Sequence, residues 1–319
     1  MNSKQWIIIV FFIPIVLSGV AIILIKTFNL PLRFSNSISY DVKLNYIQNN
    51  KLMNNSDTIV IGSSMALNNI NGIELEDNSI NIKKVANLSS WGLQTSEVLQ
   101  LIKLVDLKNI KYLIYSTQYF DFRESRLKNI DEKEVEKYLN NQFTLYPYKI
   151  TIQGLTNNLA NNIRYKNLYL NPNKYSYLDY DRTGSINLTF GSEFIKKDRW
   201  ENEYKKIYNL STQCFEALAE LSQISKLHNI QLIVITTPIR KSILYSNEGV
   251  LDIFNEFTTK LSNLSIKQNF IYLNTQSILN LTDEYFVDRT HLNKNGATLV
   301  SAEISKLIDI NIKEINEKK

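Results

Sequence analysis

Two stretches of this chain carry residue types that could do chemistry together. The first, IVIGSSMALNNI, closes an apolar β-branched run with Gly62 and follows it with Ser63 and Ser64. A glycine there permits a tight turn. A serine opening the next helix sits where main-chain amides and the helix dipole favour developing negative charge. Such a serine turns nucleophilic when a base stands beside it. On this motif alone, the simpler reading is that Ser63 or Ser64 caps the helix. The second stretch, EYFVDRTHLNKNGA, puts Asp288 three residues before His291. In a turn or a helical start, that spacing lets the carboxylate accept from one imidazole nitrogen and leaves the other free to act as a base. His228, in SKLHNIQLIVI where a helix pattern gives way to a strand pattern, reads as structural.

For the serine and the histidine to meet, a fold must bring together segments more than two hundred residues apart. The sequence has the pattern for one. Thr58 to Ile61 (TIVI), Val85 to Leu88 (VANL), Tyr112 to Tyr115 (YLIY), Leu232 to Ile235 (LIVI) and Phe270 to Leu273 (FIYL) are short, wholly apolar runs of the kind that fill a buried parallel sheet. Helix patterns lie between them: Val98, Leu101, Ile102 and Val105 behind Thr95 and Ser96, and a longer one from Leu210 to Leu227. Strands alternating with helices imply right-handed crossovers, so the fold class is α/β with a doubly wound, mostly parallel sheet. In such sheets function gathers where strands end and helices begin, which is where Ser63 and Ser64 fall. The alternation breaks between about 121 and 208, read as an insertion. Its charge-rich first part (DFRESRLKNIDEKEVEKYL) suits a solvated helix, and its later part is dense in Tyr and Asn. Tyr165, Tyr169, Tyr175, Tyr177 and Tyr180 could face sugar rings or cover the insertion's own small core.

Composition removes several alternatives. Basic and acidic residues, 36 and 31, are mixed along the chain for a net charge of +5, without the Lys/Arg block of a nucleic-acid surface. Cys214 is the single cysteine, so an intrachain disulfide and a thiolate metal cluster are both excluded. The two histidines lack metal-ligand spacing. The expectation is chemistry without metal or cofactor. From Trp6 to Ile25 no side chain is charged, and about 20 such residues suffice to cross a bilayer. With no persuasive cleavage site after it, the segment is expected to be an uncleaved transmembrane anchor over 1–26. A polar stalk over 27–56 and the catalytic-type domain over 57–312 would follow.

Taken together, GSS at the end of the first strand, the late D-x-x-H and the sheet between them resemble the SGNH, or GDSL-type, hydrolase superfamily. The variant is similar to membrane-anchored relatives in cell-envelope polymer modification, such as alginate and O-antigen acetylation proteins and the D-alanyl transfer protein of teichoic-acid systems. The resemblance runs in scattered blocks from Thr58 to Leu307. It implies Ser64 as nucleophile, His291 as base and Asp288 as the group orienting it, with main-chain N–H groups of Ser64 and Gly92 (in NLSSWGLQT) binding the oxyanion. Where many members carry Asn after the third strand, this chain has STQYFDF, leaving Thr117 or Gln118 as the substitute donor. The resemblance also implies a single-pass protein with Met1 to Gln5 in the cytoplasm and the domain outside. There it would transfer an acetyl or similar small acyl group onto an envelope polysaccharide or its precursor, alongside a multipass membrane acyltransferase. The same features accommodate an esterase that removes such groups, or a catalytically silent scaffold for the multipass partner.

Overall fold

β1 (Thr58–Gly62) lies in the interior of the fold: Ile59, Val60 and Ile61 are fully buried, as a parallel strand covered on both faces requires. In the computed structural model, which describes residues 3–27, 34–124, 130–142, 144, 179–189, 209–245 and 248–317, five parallel strands form one sheet. These are β1, β2 (Val85–Asn87), β3 (Tyr112–Thr117), β4 (Gln231–Thr236) and β5 (Ile271–Asn274), in the order β2-β1-β3-β4-β5. The protein is therefore α/β, and each apolar run singled out above supplies one strand. Register aligns Val60 with Ile114, Ile114 with Ile233 and Ile233 with Ile271. One face is thus a row of β-branched side chains.

The helices in chain order are α1 (Ser3–Ile7), α2 (Ile13–Thr27), α3 (Ile38–Asn49), α4 (Ser64–Asn69), α5 (Gly72–Asn78), α6 (Thr95–Leu104), α7 (Glu132–Leu139), α8 (Thr212–Leu227), α9 (Lys241–Leu244), α10 (Glu248–Gln268), α11 (Thr275–Ile278) and α12 (Lys294–Glu317). Val300, Ile304 and Ile308 of α12, spaced along one helical stripe, pack into the same buried cluster as Val60, Ile114, Ile233 and Leu273. The alternate residues Leu113, Tyr115, Leu232 and Val234 point the other way, as the pleat requires, and are buried as well. There α6 meets β1, α8 meets β4 and α10 meets β5. Phe122 locks this layer, its ring 4.6 Å from Phe215 of α8 and 5.0 Å from Phe257 of α10. Fully burying a side chain such as Phe122 or Phe257 is worth roughly 1.5–3 kcal/mol.

The chain divides into two compact units. Met1–Asn50 groups with Leu127–Leu178, and Lys51–Arg126 groups with Asp179–Lys319. The second unit contains the whole sheet. In the first, part of the expected stalk is a helix with an interior side: Tyr40, Leu44 and Ile47 of α3 are buried, and Tyr138 of α7 bonds through its hydroxyl to Asn45. The charge-rich helix expected in the insertion is α7, which buries only Val135. Tyr165, Tyr169, Tyr175 and Tyr177 lie outside the described residues.

The N-terminal segment departs from the single transmembrane helix expected there. Residues 8–12 between α1 and α2 wind as a π-helix, and no helix among the described residues is long and apolar enough to cross a membrane. Pro14 supplies the physical reason: it has no N–H, and its ring clashes with the carbonyl four residues earlier, so the turn before it must widen.

Candidate active site

The exit of β1 is built for close approach. Gly62 has φ +152°, and a Cβ there would stand 2.2 Å from the Ser116 carbonyl oxygen of β3. Only glycine lets the chain turn there without pushing β3 away. Ser63 comes next, extended, and caps α4 by accepting the Met65 N–H at 3.2 Å. The capping role therefore belongs to Ser63. Ser64 is released from it, begins the helix and remains partly exposed.

The hydroxyl of Ser64 lies 2.8 Å from His291 Nε2, across 227 residues of sequence. His291 Nδ1 lies 2.7 Å from Asp288 Oδ2. The other carboxylate oxygen of Asp288 accepts the N–H of Thr290 at 2.9 Å and of His291 at 2.7 Å, forming an Asx-type turn. That turn explains the spacing of D-x-x-H, since one oxygen folds the backbone and the other holds the ring. The turn is the tip of a narrow loop in which Val287 N–H donates to the His291 carbonyl and Phe286 bridges Leu292. The side chains of His291 and Asp288 are 13% and 16% exposed, so water is thinned around them but a substrate can reach them.

Two residues not foreseen from the sequence set this geometry. Asn69, fully buried at the end of α4, donates to the Thr290 carbonyl at 2.7 Å and accepts the Leu292 N–H at 2.8 Å, bracketing His291 on both sides. The helix that begins with Ser64 thus ends by fixing its base. Arg240, after β4, donates its main-chain N–H to the Arg289 carbonyl and its guanidinium to the carbonyls of Asp283 and Phe286. The signal for Asn69 was present in SMALNNI, but nothing in the sequence tied it to residue 291.

The remaining expected site residues fall differently. Gly92 has φ +72° and lies partly exposed in the loop after β2, where a Cβ would meet nothing within 4 Å beyond its chain neighbours. That loop is tied to the β1 exit by Ser90 N–H donating to the Gly62 carbonyl at 3.2 Å. Gln118 does not serve as a side-chain donor to the site. It is fully buried, donates to the Thr237 carbonyl, and accepts Tyr119 N–H as the cap of the 3-10 turn Tyr119–Asp121. Thr117 is also committed, its hydroxyl donating to Asp121 at 3.2 Å. The tight turn after β3 needs these groups for itself. His228 closes the C-terminus of α8, donating its N–H to the Ile224 carbonyl, and is exposed. Among the described residues no cluster of three or more His, Cys, Asp or Glu could hold a metal ion.

A serine hydroxyl, an imidazole and a carboxylate in this order can carry out proton-coupled nucleophilic attack. A scan against family models and a search of curated proteins both found no match to the chain.

Proposed function

We propose that this protein is a serine-dependent acyl-transfer enzyme of the SGNH type, anchored in a membrane and acting on a cell-envelope polysaccharide. The observation that carries the reading is the hydrogen-bonded relay from Ser64 through His291 to Asp288. The strand order 2-1-3-4-5 supports it, since ligands of such sheets bind outside the carboxyl ends of the strands, where the relay stands.

In the proposed reaction His291 Nε2 takes the Ser64 proton as Oγ bonds to the acyl carbon. Asp288 holds the ring in the required tautomer and offsets the imidazolium charge. The main-chain N–H groups of Ser64 and Gly92 receive the oxyanion. His291 then returns the proton to the leaving group as its bond to the acyl carbon breaks, giving an acyl-enzyme. A sugar hydroxyl next attacks the acyl carbon and loses its proton to His291, which passes it to Ser64 Oγ as the bond between Ser64 and the acyl carbon breaks. Without a side-chain donor from Gln118, oxyanion binding rests on main-chain groups, and one missing donor typically costs about 10²–10³ in rate. A modest intrinsic turnover is expected.

Anchoring rests on Trp6 to Ile25, which carry no charge, are helical throughout and expose apolar side chains such as Phe11, Ile15 and Ile23. Met1 to Gln5 would lie in the cytoplasm and the sheet domain outside, beside a multipass acyltransferase as partner. The test is to treat the full-length protein in detergent with a fluorophosphonate probe, then with an activated acetyl ester and envelope oligosaccharides. Labelling that disappears in Ser64→Ala, followed by acetyl-sugar formation, is the expected result. Absence of labelling would leave a silent scaffold, and release of acetate alone would make the protein an esterase.

A further inference from the structure

Bonded to Ser63 is a carboxylate that the relay does not use. Asp121 is buried, and its Oδ2 accepts from the Ser63 hydroxyl at 3.0 Å, the Gln118 N–H at 3.0 Å and the Thr117 hydroxyl at 3.2 Å. Its main-chain carbonyl accepts the Thr95 hydroxyl of α6, which also pairs with the Tyr115 hydroxyl at 2.9 Å. One side chain therefore joins the exits of β1 and β3, and its backbone reaches the start of α6. We infer that Asp121, acting through Ser63, is a positioning residue that holds the nucleophile-bearing turn in register with His291. The inference rests on Ser64 being the nucleophile.

The geometry gives Ser63 two obligations, donating to Asp121 and accepting from Met65. Together they fix the residue immediately before Ser64 in both directions. An ionised carboxylate can accept from all three donors at one oxygen. A protonated one is an uncharged, weaker acceptor whose own hydrogen also needs a partner, so its hold on the three donors loosens.

Burial is the main reason the carboxyl of Asp121 is pushed up from 3.8 to about 7, against the hydrogen bonds from Ser63, Gln118 and Thr117 and the charge of Arg123. The other titratable groups facing it are Tyr115 and Cys214, both raised by burial and so neutral near pH 7. Arg123 stays cationic throughout. Near neutrality Asp121 is thus the group in this cluster that changes charge. The native value lies above the unfolded one, so the native state binds the proton more tightly. Its stabilising contribution is complete below about pH 4 and is lost as pH rises to about 7. The ionised form that best holds the turn is therefore the form that costs stability.

The experiment measures fluorophosphonate labelling of Ser64 in the full-length protein, with thermal melting, from pH 5 to 9. Asp121→Asn keeps the shape and removes the charge. It is expected to label about tenfold more slowly at pH 8, the loss of one charge-assisted hydrogen bond. The wild-type to variant ratio should grow as pH rises through about 7, and taking the ratio cancels every pH effect that the two proteins share. The same variant should melt higher than wild type at pH 8, with the gap shrinking toward pH 4. Ser63→Ala should also label more slowly, and adding Asp121→Asn to it should cost little more, because both remove one link. Labelling of Asp121→Asn at the wild-type rate across the range, a pH-independent ratio, or fully additive losses would each overturn the inference. Wild-type protein that is never labelled would instead overturn the acyl-transfer reading on which it rests.

Discussion

The two ends of the parallel sheet make opposite use of similar polar residues. At the carboxyl ends of the strands, hydrogen bonds that span up to 227 residues of sequence tie Ser64 to His291, Asn69 to the backbone on either side of His291, and Asp121 to Ser63. At the amino ends of β3 and β4, a groove of about 390 Å³ is lined by Lys111, Tyr112, Lys226, Asn229, Gln231 and Asn316. It is roomy and polar, yet none of its side chains is arranged as a relay. The difference follows from chain direction. In a parallel sheet helices begin near the carboxyl ends of strands and finish near their amino ends. Free amides and positive dipole ends therefore collect at one edge, and carbonyls collect at the other. Lys226, in the last turn of α8, suits the second edge. Volume alone does not mark the chemistry.

Breaking the relay should have the largest effect. Asp288→Asn keeps an oxygen for the Asx-type turn but loses the acceptor for His291 Nδ1–H. Labelling and acyl transfer should fall by roughly 10⁴, as in a well-studied serine triad, with little change in melting. Near-native turnover in this variant would remove Asp288 from the mechanism.

Gly62→Ala tests the backbone of the same edge. The added methyl must displace the Ser116 carbonyl from a 2.2 Å clash and adopt a φ that alanine avoids. A loss of about 3 kcal/mol or more is expected in denaturant unfolding, drawn from strain plus repacking. A loss under about 1 kcal/mol would mean that the turn is more pliant than its packing indicates.

Asn69→Ala leaves the Thr290 carbonyl and the Leu292 N–H without their partner. This should cost about 1–3 kcal/mol of stability and slow labelling by about tenfold. A stability loss with unchanged labelling would make Asn69 structural alone.

Lys226→Ala, in the exposed groove at the opposite edge, should stay within about 0.5 kcal/mol of wild type and label at the same rate. A clear drop in activity would undo the contrast between the two edges.

The sequence by itself determined the elements whose causes are local. Runs such as TIVI and LIVI could only be buried strands, because continuous β-branched apolar stretches have no solvent face, and each became a strand. The link between Asp288 and His291 was equally legible, since an Asx-type turn closes within three residues. The division of labour between Ser63 and Ser64 was not, because both can cap a helix. Only the arrival of Asp121 from 58 residues away and of His291 from 227 residues away separated them. Gln118 shows the same limit from the other side: its amide could donate to an oxyanion, but the 3-10 turn after β3 needed its cap and Thr237 offered an acceptor. The role of a polar side chain depends on which unsatisfied group the fold brings within about 3 Å, and that distance is set by tertiary packing.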